Sequence, residues 1–245
     1  MARCIAIIPA RSGSKSIKDK NLALLSGFPL IAYSIAAAKL SKHIDRVIVS
    51  TDSQYYADIA IKYGAEVPFL RPVALSSDGS TDYDFMQHAM EHLESEQNDL
   101  PEYWVHLRPT TPLREPAVMD QAIELMMSRA DATALRSGHL SPESPFKWFR
   151  KNNDGFFIGL TSDETNLDKF NGPRQQFPDV LIPDGYIDVV RRSFVVKEKL
   201  LHGSKVLGFE SPYCVEVDSA EELDLLDFQV QKYGSPILNY LRGVK

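Results

Sequence analysis

The sequence predicts an α/β fold, a Rossmann-like, mostly parallel twisted sheet with helices on both faces, plus a small β-rich excursion. Two observations predict the sheet. Short apolar runs of strand length alternate with segments of helical periodicity over residues 3–129, and the connections between them are short. Such alternation sets parallel strands side by side and packs helices against both faces. A third observation predicts the excursion, because residues 138–181 are rich in Pro, Gly and aromatic residues without a helical period.

The first half of the chain contains the elements that build this sheet. A buried strand at residues 3–9 is rich in Ile and ends at Pro9. A helix at residues 29–40 begins with proline, which suits the first helical turn. The remaining elements follow in alternation: a strand within 45–53, a helix from Ser53 to Tyr63, a strand at 66–70, a helix at 83–96, a strand at 103–107 and a helix at 117–129.

The second half contains the excursion. Residues 138–181 predict a β-hairpin with its turn near residues 152–155. Its aromatic residues exceed what one hairpin can bury, so we expect it to form a lobe or an arm that mediates dimerisation. We expect this excursion to belong to a single domain that spans residues 1–245. These aromatic residues are Phe146, Trp148, Phe149, Phe156 and Phe157.

The sheet pattern then resumes. Strands are predicted at residues 185–190 and 205–210. A last helix is predicted from Ser219 to about Tyr233, because Ser219 and Glu222 have the spacing of a capping box.

Composition and charge exclude several classes of function. The formal net charge of −6, without a basic stripe interleaved with aromatic residues, argues against a general nucleic-acid binder. No apolar run approaches the roughly 20 residues of a membrane span, and the N-terminal run is too short for a secretory signal. Cys4 and Cys214 have neither disulfide-framework nor metal-ligand spacing. We therefore expect a cytoplasmic protein that binds neither nucleic acid nor membrane.

The first predicted strand leads into a loop with concentrated positive charge. Arg11, Lys15, Lys18 and Lys20 supply this charge, and Gly13 with its neighbouring serines lets backbone N–H groups approach an oxyanion. Ligands of such sheets bind beyond the carboxyl ends of the strands, so the position favours anion binding. The alternative is a solvated surface loop, since the loop matches neither GxGxxG nor GxxxxGK[ST].

Seven segments along the chain resemble one enzyme family. They are similar to the CMP-sugar synthetases that activate sialic acids and related nine-carbon keto acids, the acylneuraminate cytidylyltransferase family. The resemblance spans essentially the whole chain. The segments are IIPARSGSKSIKDKN (7–21), VIVSTDS (47–53), FLRP (69–72), LRPTTPLR (107–114), PRQQFP (173–178), PDGYIDV (183–189) and VEVDSAEELDL (215–225).

The resemblance implies nucleotidyl transfer, in which the anomeric hydroxyl of a sugar acid attacks the α-phosphorus of CTP and releases pyrophosphate. Such a reaction needs the triphosphate charge neutralised and a divalent metal at the reacting oxygens. By this resemblance Arg11 and Lys20 are catalytic. The implied nucleotide-binding residues are Arg11, Ser14, Lys15, Lys20, Asn21, Arg71 and Ser80.

The implied metal is Mg²⁺, held by Glu216 and the catalytic Asp218. The two residues alternate along a segment that we expect to be extended, so both carboxylates face one side. Hard oxygen ligands suit Mg²⁺, which completes its shell with water and phosphate oxygens. The family has two Asp here, and Glu216 departs from it. Asp218 as a residue at the start of a helix is the alternative, and Asp52 is consistent with either a metal or a loop role.

The implied sugar-acid site departs most from the family. Its members usually carry Gln, Asn and Tyr where this chain has Arg108, Asp184 and Asp188. Arg174 matches a family Arg that neutralises substrate charge, and an Arg can hold a carboxylate by two parallel hydrogen bonds. A structural ion pair of Arg108 with Asp184 or Asp188 is equally consistent with the sequence. The predicted substrate-binding residues are Arg108, Lys147, Arg174, Gln175, Asp184 and Asp188.

Three interpretations therefore stay open. The first is a Mg²⁺-dependent cytidylyltransferase that uses CTP and a sialic-acid-like sugar acid, acting as a homodimer. The second keeps nucleotidyl transfer but changes the sugar acceptor or the base. The third is a non-catalytic homologue that binds a nucleotide. Release of pyrophosphate distinguishes the first two from the third.

Overall fold

The structure, a computed structural model, describes residues 4–14, 16–96 and 100–244. The helices are α1 (Leu30–Leu40), α2 (Gln54–Lys62), α3 (Asp82–Glu96), α4 (Pro116–Ser128), α5 (Arg192–Glu198), α6 (Ala220–Tyr233) and α7 (Pro236–Gly243). The strands are β1 (Cys4–Pro9), β2 (Leu24–Leu25), β3 (Phe28–Pro29), β4 (Arg46–Ser50), β5 (Tyr103–His106), β6 (Ala134–Leu140), β7 (Phe149–Lys151), β8 (Phe157–Gly159), β9 (Leu181–Arg191) and β10 (Val206–Glu210).

One mixed sheet organises the molecule, with the strand order β10-β6-β9-β5-β1-β4. β1 pairs in parallel with β4 and β5, and β10 pairs in parallel with β6. β9 runs antiparallel to both β5 and β6. The predicted mostly parallel sheet is confirmed, whereas the reversed direction of β9 was not predicted.

The sheet is buried on both faces, as its central strand shows. Ala6 and Ile8 of β1 belong to one hydrophobic cluster, which includes residues of α1, and Ile5 and Ile7 belong to a second, which includes residues of α3. Side chains alternate across a strand, so an unbroken apolar run fits a strand covered by helices on both sides. Within the described ranges, no helix has the length and apolar character that crossing a membrane requires.

Local capping signals position the helices as predicted. The Ser53 side chain accepts a hydrogen bond from the Tyr56 backbone N–H at the start of α2. Ser219 and Glu222 form a capping box at the start of α6. Asp52 directly precedes the first cap and Asp218 directly precedes the second. The two caps therefore set where α2 and α6 begin after these carboxylates.

The predicted strand at residues 66–70 is wrong. This segment makes only two isolated bridges to its neighbour, Ile48 with Glu66 and Thr51 with Leu70. Pro68 lies between the two bridges and has no N–H to donate to a ladder. A continuous strand is interrupted at that point.

The predicted hairpin is present as β7 and β8, which pair antiparallel. At its turn the Asn152 N–H donates to the Phe156 carbonyl at 2.9 Å, and Gly155 adopts φ +86°, a conformation that favours glycine. The sequence did not predict β6, which continues the main sheet to Leu140 before this excursion begins. The Gly and His residues of β6 interrupt the apolar pattern from which the other strands were predicted.

Candidate active site

A cleft of about 260 Å³ opens beyond the carboxyl ends of β1 and β5. This is the edge at which ligands bind in sheets of this type. Arg108, predicted as a sugar-binding residue, also lines the cleft. The other predicted residues that line it are the nucleotide-binding Arg11, Ser14, Lys20, Asn21, Arg71 and Ser80. Lys15 lies outside the described residues.

The loop after β1 is held by hydrogen bonds rather than by regular structure. The backbone N–H and hydroxyl of Ser12 donate to the two carboxylate oxygens of Asp52, at 2.7 and 2.8 Å. The Asn21 side-chain amide donates to the Arg11 carbonyl at 3.1 Å. Gly13 adopts φ +75° at the turn of the loop. Of the two roles that the sequence left open for Asp52, the structure shows the contact with the loop.

Arg11 and Lys20 bring positive charge to the cleft, and acidic side chains balance it. Arg11 Nη2 lies 2.8 Å from Asp78 Oδ1. Lys20 Nζ lies 2.8 Å from Asp218 Oδ1, and only 15% of the Lys20 side chain is exposed. A partly buried ammonium beside a cleft suits a phosphate or another strong anion.

Arg71 is the third cation, and it is fixed more firmly. It is buried, and its guanidinium donates to the hydroxyl and the carbonyl of Ser50 at 3.0 and 2.5 Å. It also lies over the Phe85 ring, 5.0 Å from the centroid. Burial lowers the pKa of Arg71 to about 10, so it stays charged at neutral pH.

Two carboxylates reach the same region from the chain before α6. Thr110, a cleft residue, donates its hydroxyl to Glu216 Oε1 at 3.0 Å. The Val217 N–H donates to the Thr110 carbonyl at 2.7 Å, which ties this chain to the loop after β5. Asp218 contacts Lys20, as described above. The donor chemistry of Glu216 and Asp218 fits Mg²⁺, which is often held by only one or two carboxylates in addition to phosphate oxygens and water.

Arg108 lies between two acidic side chains. Its Nη2 donates to Asp82 Oδ2 at 2.6 Å, and its Nη1 donates to Asp188 Oδ2 at 3.3 Å. The ion pair with Asp188 that the sequence left open is thus formed. The second partner, Asp82, was not predicted, although its place in the first turn of α3 directs it toward the cleft.

Asp184 lies away from the cleft surface and is buried. Its carboxylate accepts hydrogen bonds from the Ser137 hydroxyl at 2.7 Å and the Tyr186 N–H at 3.0 Å, and also from the Ser211 hydroxyl. These contacts join β6, β9 and the end of β10. A role of Asp184 in sugar binding stays a prediction.

The remaining predicted sugar-binding residues lie on the excursion. Lys147 and Arg174 line a separate groove of about 360 Å³, together with Trp148. Lys147 Nζ donates to the Gly172 carbonyl at 3.0 Å, and Arg174 Nη1 donates to the Pro142 carbonyl at 3.2 Å. Gln175 is exposed next to Arg174. The structure therefore divides the predicted sugar-binding residues among three places: the cleft, the buried position of Asp184 and the excursion.

Arg114 is a structural residue that the sequence analysis missed. It is buried, and its guanidinium donates to the carbonyls of Tyr186 at 2.5 Å, Arg108 at 2.7 Å and Gly185 at 3.0 Å. These bonds fasten the loop after β5 to the middle of β9. The sequence could have indicated this residue, because Arg114 is the last residue of the family-like segment LRPTTPLR.

Comparison with protein families decides the classification. A family model described as Cytidylyltransferase matches residues 5–147, more than half of the chain. The chain belongs to the cytidylyltransferase family. The matched range includes all the residues described above as lining the cleft, among them Arg11, Lys20 and Arg71.

Named cytidylyltransferases and CMP-sugar synthases match the chain over different lengths. The CMP-N,N'-diacetyllegionaminic acid synthase of Legionella pneumophila is 40% identical over 126 residues, which cover 50% of this chain and 53% of the relative. The N-acylneuraminate cytidylyltransferase of Streptococcus agalactiae is 31% identical over 222 residues, which cover 89% of this chain and 51% of the relative. The chain thus spans about half the length of these relatives. The predicted family resemblance is confirmed.

The fold is also similar to that of a solved structure. A CMP:2-keto-3-deoxy-manno-octonic acid synthetase, solved in complex with CTP, matches with a TM-score of 0.69 and 17% identity. The match covers 94% of this chain and 99% of that one. At this low identity the match shows that the two chains share a fold.

Proposed function

We propose that this chain transfers CMP from CTP to a nonulosonic, sialic-acid-like sugar acid and releases pyrophosphate. The observation that carries the proposal is the convergence of Arg11, Lys20 and Arg71 on one cleft in a member of the cytidylyltransferase family. Three cations at one site suit a triphosphate. The relatives named for diacetyllegionaminic acid and N-acylneuraminate support a sugar acid as the acceptor.

In the proposed reaction the loop after β1 binds the triphosphate. Arg11 and Lys20 exchange or share their carboxylate partners with phosphate oxygens. The anomeric hydroxyl oxygen of the acceptor forms a bond to the α-phosphorus, the bond from that phosphorus to the bridging oxygen of pyrophosphate breaks, and the hydroxyl proton passes to solvent. Fixed cations stabilise the negative charge that develops on the leaving pyrophosphate.

We propose Mg²⁺ as the cofactor, with Glu216 and Asp218 as its protein ligands. When bound, the ion supplies Lewis-acid stabilisation of phosphoryl oxygens. In the part of the chain that the structure describes, no group of three or more His, Cys, Asp or Glu side chains is arranged to hold a metal ion. The proposed site therefore depends on phosphate oxygens and water for its other ligands, as Mg²⁺ sites commonly do.

Pyrophosphate release measured separately with CTP, UTP, ATP and GTP tests the nucleotide assignment. With Mg²⁺ and a mixture of sugar acids, we expect release from CTP alone. Equal release from several nucleotides supports nucleotidyl transfer with a different base preference. Binding of CTP by folded protein without any release supports the non-catalytic interpretation instead.

We also propose that the chain forms a homodimer through the excursion. Its exposed aromatic side chains include Phe156 at 71%, Phe157 at 51% and Trp148 at 44% exposure. Exposed aromatic side chains concentrated in one segment of the surface favour association. We further propose a cytoplasmic location, which suits a chain whose two Cys residues lack the spacing of a disulfide framework.

Replacing Trp148, Phe156 and Phe157 together with serine is expected to halve the mass measured by light scattering, because the apolar contact area is lost. Tyr233→Ser is the matched control, since Tyr233 is an aromatic residue with 73% exposure on α6. We expect the control to keep the dimer mass. A dimer that survives the triple substitution contradicts the assignment of the interface.

A further inference from the structure

A buried carboxylate lies behind one wall of the cleft. Asp188 on β9 stands opposite His106 on β5 and Arg136 on β6 in the sheet register. Its side chain is 2% exposed, whereas its neighbour Arg108 forms part of the cleft surface. Any effect of Asp188 on a bound substrate is therefore transmitted through a neighbouring side chain.

Basic side chains surround Asp188. Arg108 Nη1 lies 3.3 Å from Oδ2, and Arg136 Nε lies 3.4 Å from Oδ1. Ring nitrogens of His106 and His202 lie 3.7 and 3.9 Å from Oδ2. Burial by itself raises the pKa of Asp188, but these histidines and arginines outweigh it and hold the pKa well below its usual range. Asp188 is therefore negatively charged at neutral pH.

Arg108 both pairs with Asp188 and lines the cleft. Its guanidinium has neighbours on three sides. Nη1 donates to Asp188, and Nη2 donates to Asp82. The backbone at Gly185 covers the third side, since a Cβ there would lie 3.3 Å from both Cδ and Nη1 of Arg108. A planar guanidinium fixed in this way holds its remaining N–H groups in set directions.

The two carboxylates that hold Arg108 differ in burial. Asp82 is 41% exposed, and an ion pair at such a surface is weak. Asp188 is almost fully buried, and removing one partner of a buried ion pair leaves an uncompensated charge at high cost. Asp188 is thus the stronger anchor, while Asp82 is the partner that Arg108 gives up more easily when an anion enters the cleft.

We propose that Asp188 is a positioning residue, which holds Arg108 so that its guanidinium meets the carboxylate of the incoming sugar acid. This inference rests on the proposed function and identifies how the acceptor is recognised. Asp188 itself does not touch the substrate. The group that Arg108 recognises is a carboxylate, because the geometry of a carboxylate matches two parallel N–H donors.

Asp188→Asn tests the role, because it removes the charge and keeps the shape. We expect the KM for the sugar acid to rise about 10- to 100-fold, the effect of losing one hydrogen bond between charged groups. The KM for CTP and kcat are expected to stay unchanged. Asp120→Asn is the matched control, since Asp120 is also buried and accepts a hydrogen bond from the Ser41 hydroxyl elsewhere in the fold. The control should leave both KM values unchanged.

A double-mutant cycle with Arg108→Gln tests whether Asp188 affects the acceptor KM through Arg108. Asp188→Asn should add nothing to the acceptor KM when Arg108 is already Gln, because the two residues act as one unit. Additive effects overturn the inference. Should Asp188→Asn fail to fold, as judged by circular dichroism, Asp188→Glu keeps the charge but displaces Arg108. The same rise in acceptor KM is then expected, and a wild-type value in folded protein overturns the inference.

The wild-type protein separates this inference from the function on which it rests. Pyrophosphate release by wild type, together with an unchanged acceptor KM in folded Asp188→Asn, overturns only the positioning role. Absence of release by wild type with every acceptor overturns the proposed function itself.

Discussion

Replacing Asp218 with asparagine is expected to lower kcat for pyrophosphate release by about 10²- to 10³-fold, a loss typical of one electrostatic group at a reaction centre. The reason is that Asn keeps the shape of Asp218 but lacks the charge that a Mg²⁺ ligand supplies. The side chain is 68% exposed, so the fold should not change. CTP should still bind, because Arg11, Lys20 and Arg71 remain. Steady-state kinetics and calorimetric titration with CTP measure both quantities.

Asp224→Asn is the matched control for this prediction. Asp224 is an exposed carboxylate on α6, close in sequence to Asp218. The control should keep the wild-type rate and the wild-type dependence on Mg²⁺ concentration. If Asp218→Asn also retains both, Asp218 is not a metal ligand and serves the start of α6 instead.

Replacing Lys20 with glutamine is expected to lower kcat/KM for CTP by about 10²- to 10³-fold, because a preorganised cation at the phosphates is lost. Gln preserves most of the side-chain length without the charge. Lys20 is only 15% exposed and pairs with Asp218 at 2.8 Å. Its loss also leaves Asp218 without that partner. The dependence of the initial rate on CTP concentration measures the effect.

Lys18→Gln provides the control in the same loop. Lys18 is exposed, so the loss of its charge should have a small effect that salt screens. The comparison between Lys18 and Lys20 separates a specific phosphate contact from the general charge of the loop. Equal losses for the two variants contradict a specific role for Lys20.

The sequence predicted the features that depend on local patterns. The apolar run of β1, the Ser53 cap of α2 and the capping box of α6 each follow from residues close together in the chain. The position of the basic loop after β1 was predicted in the same way, from charged and small residues that follow a strand. These features determine where the cleft lies.

Features that depend on distant partners were not predicted. The antiparallel direction of β9 follows from the path of the chain after the excursion, which no local pattern encodes. Asp82 is adjacent to Arg108 only because α3 packs across the end of β5. The burial of Asp188 likewise depends on residues from β5, β6 and the segment before β10. The sequence therefore identified the basic residues that line the cleft, but not that Asp82 pairs with Arg108 or that Asp188 is buried behind it.

The most direct test of the account is to incubate the protein with CTP, Mg²⁺ and individual sugar acids, and to examine the products by mass spectrometry. The panel comprises sialic, legionaminic, pseudaminic and deaminated nonulosonic acids and the eight-carbon keto acid of lipopolysaccharide. We predict a CMP-sugar conjugate with one of the nine-carbon acids and an equal amount of pyrophosphate. Folded protein that binds CTP but forms no conjugate with any member of the panel would contradict the account.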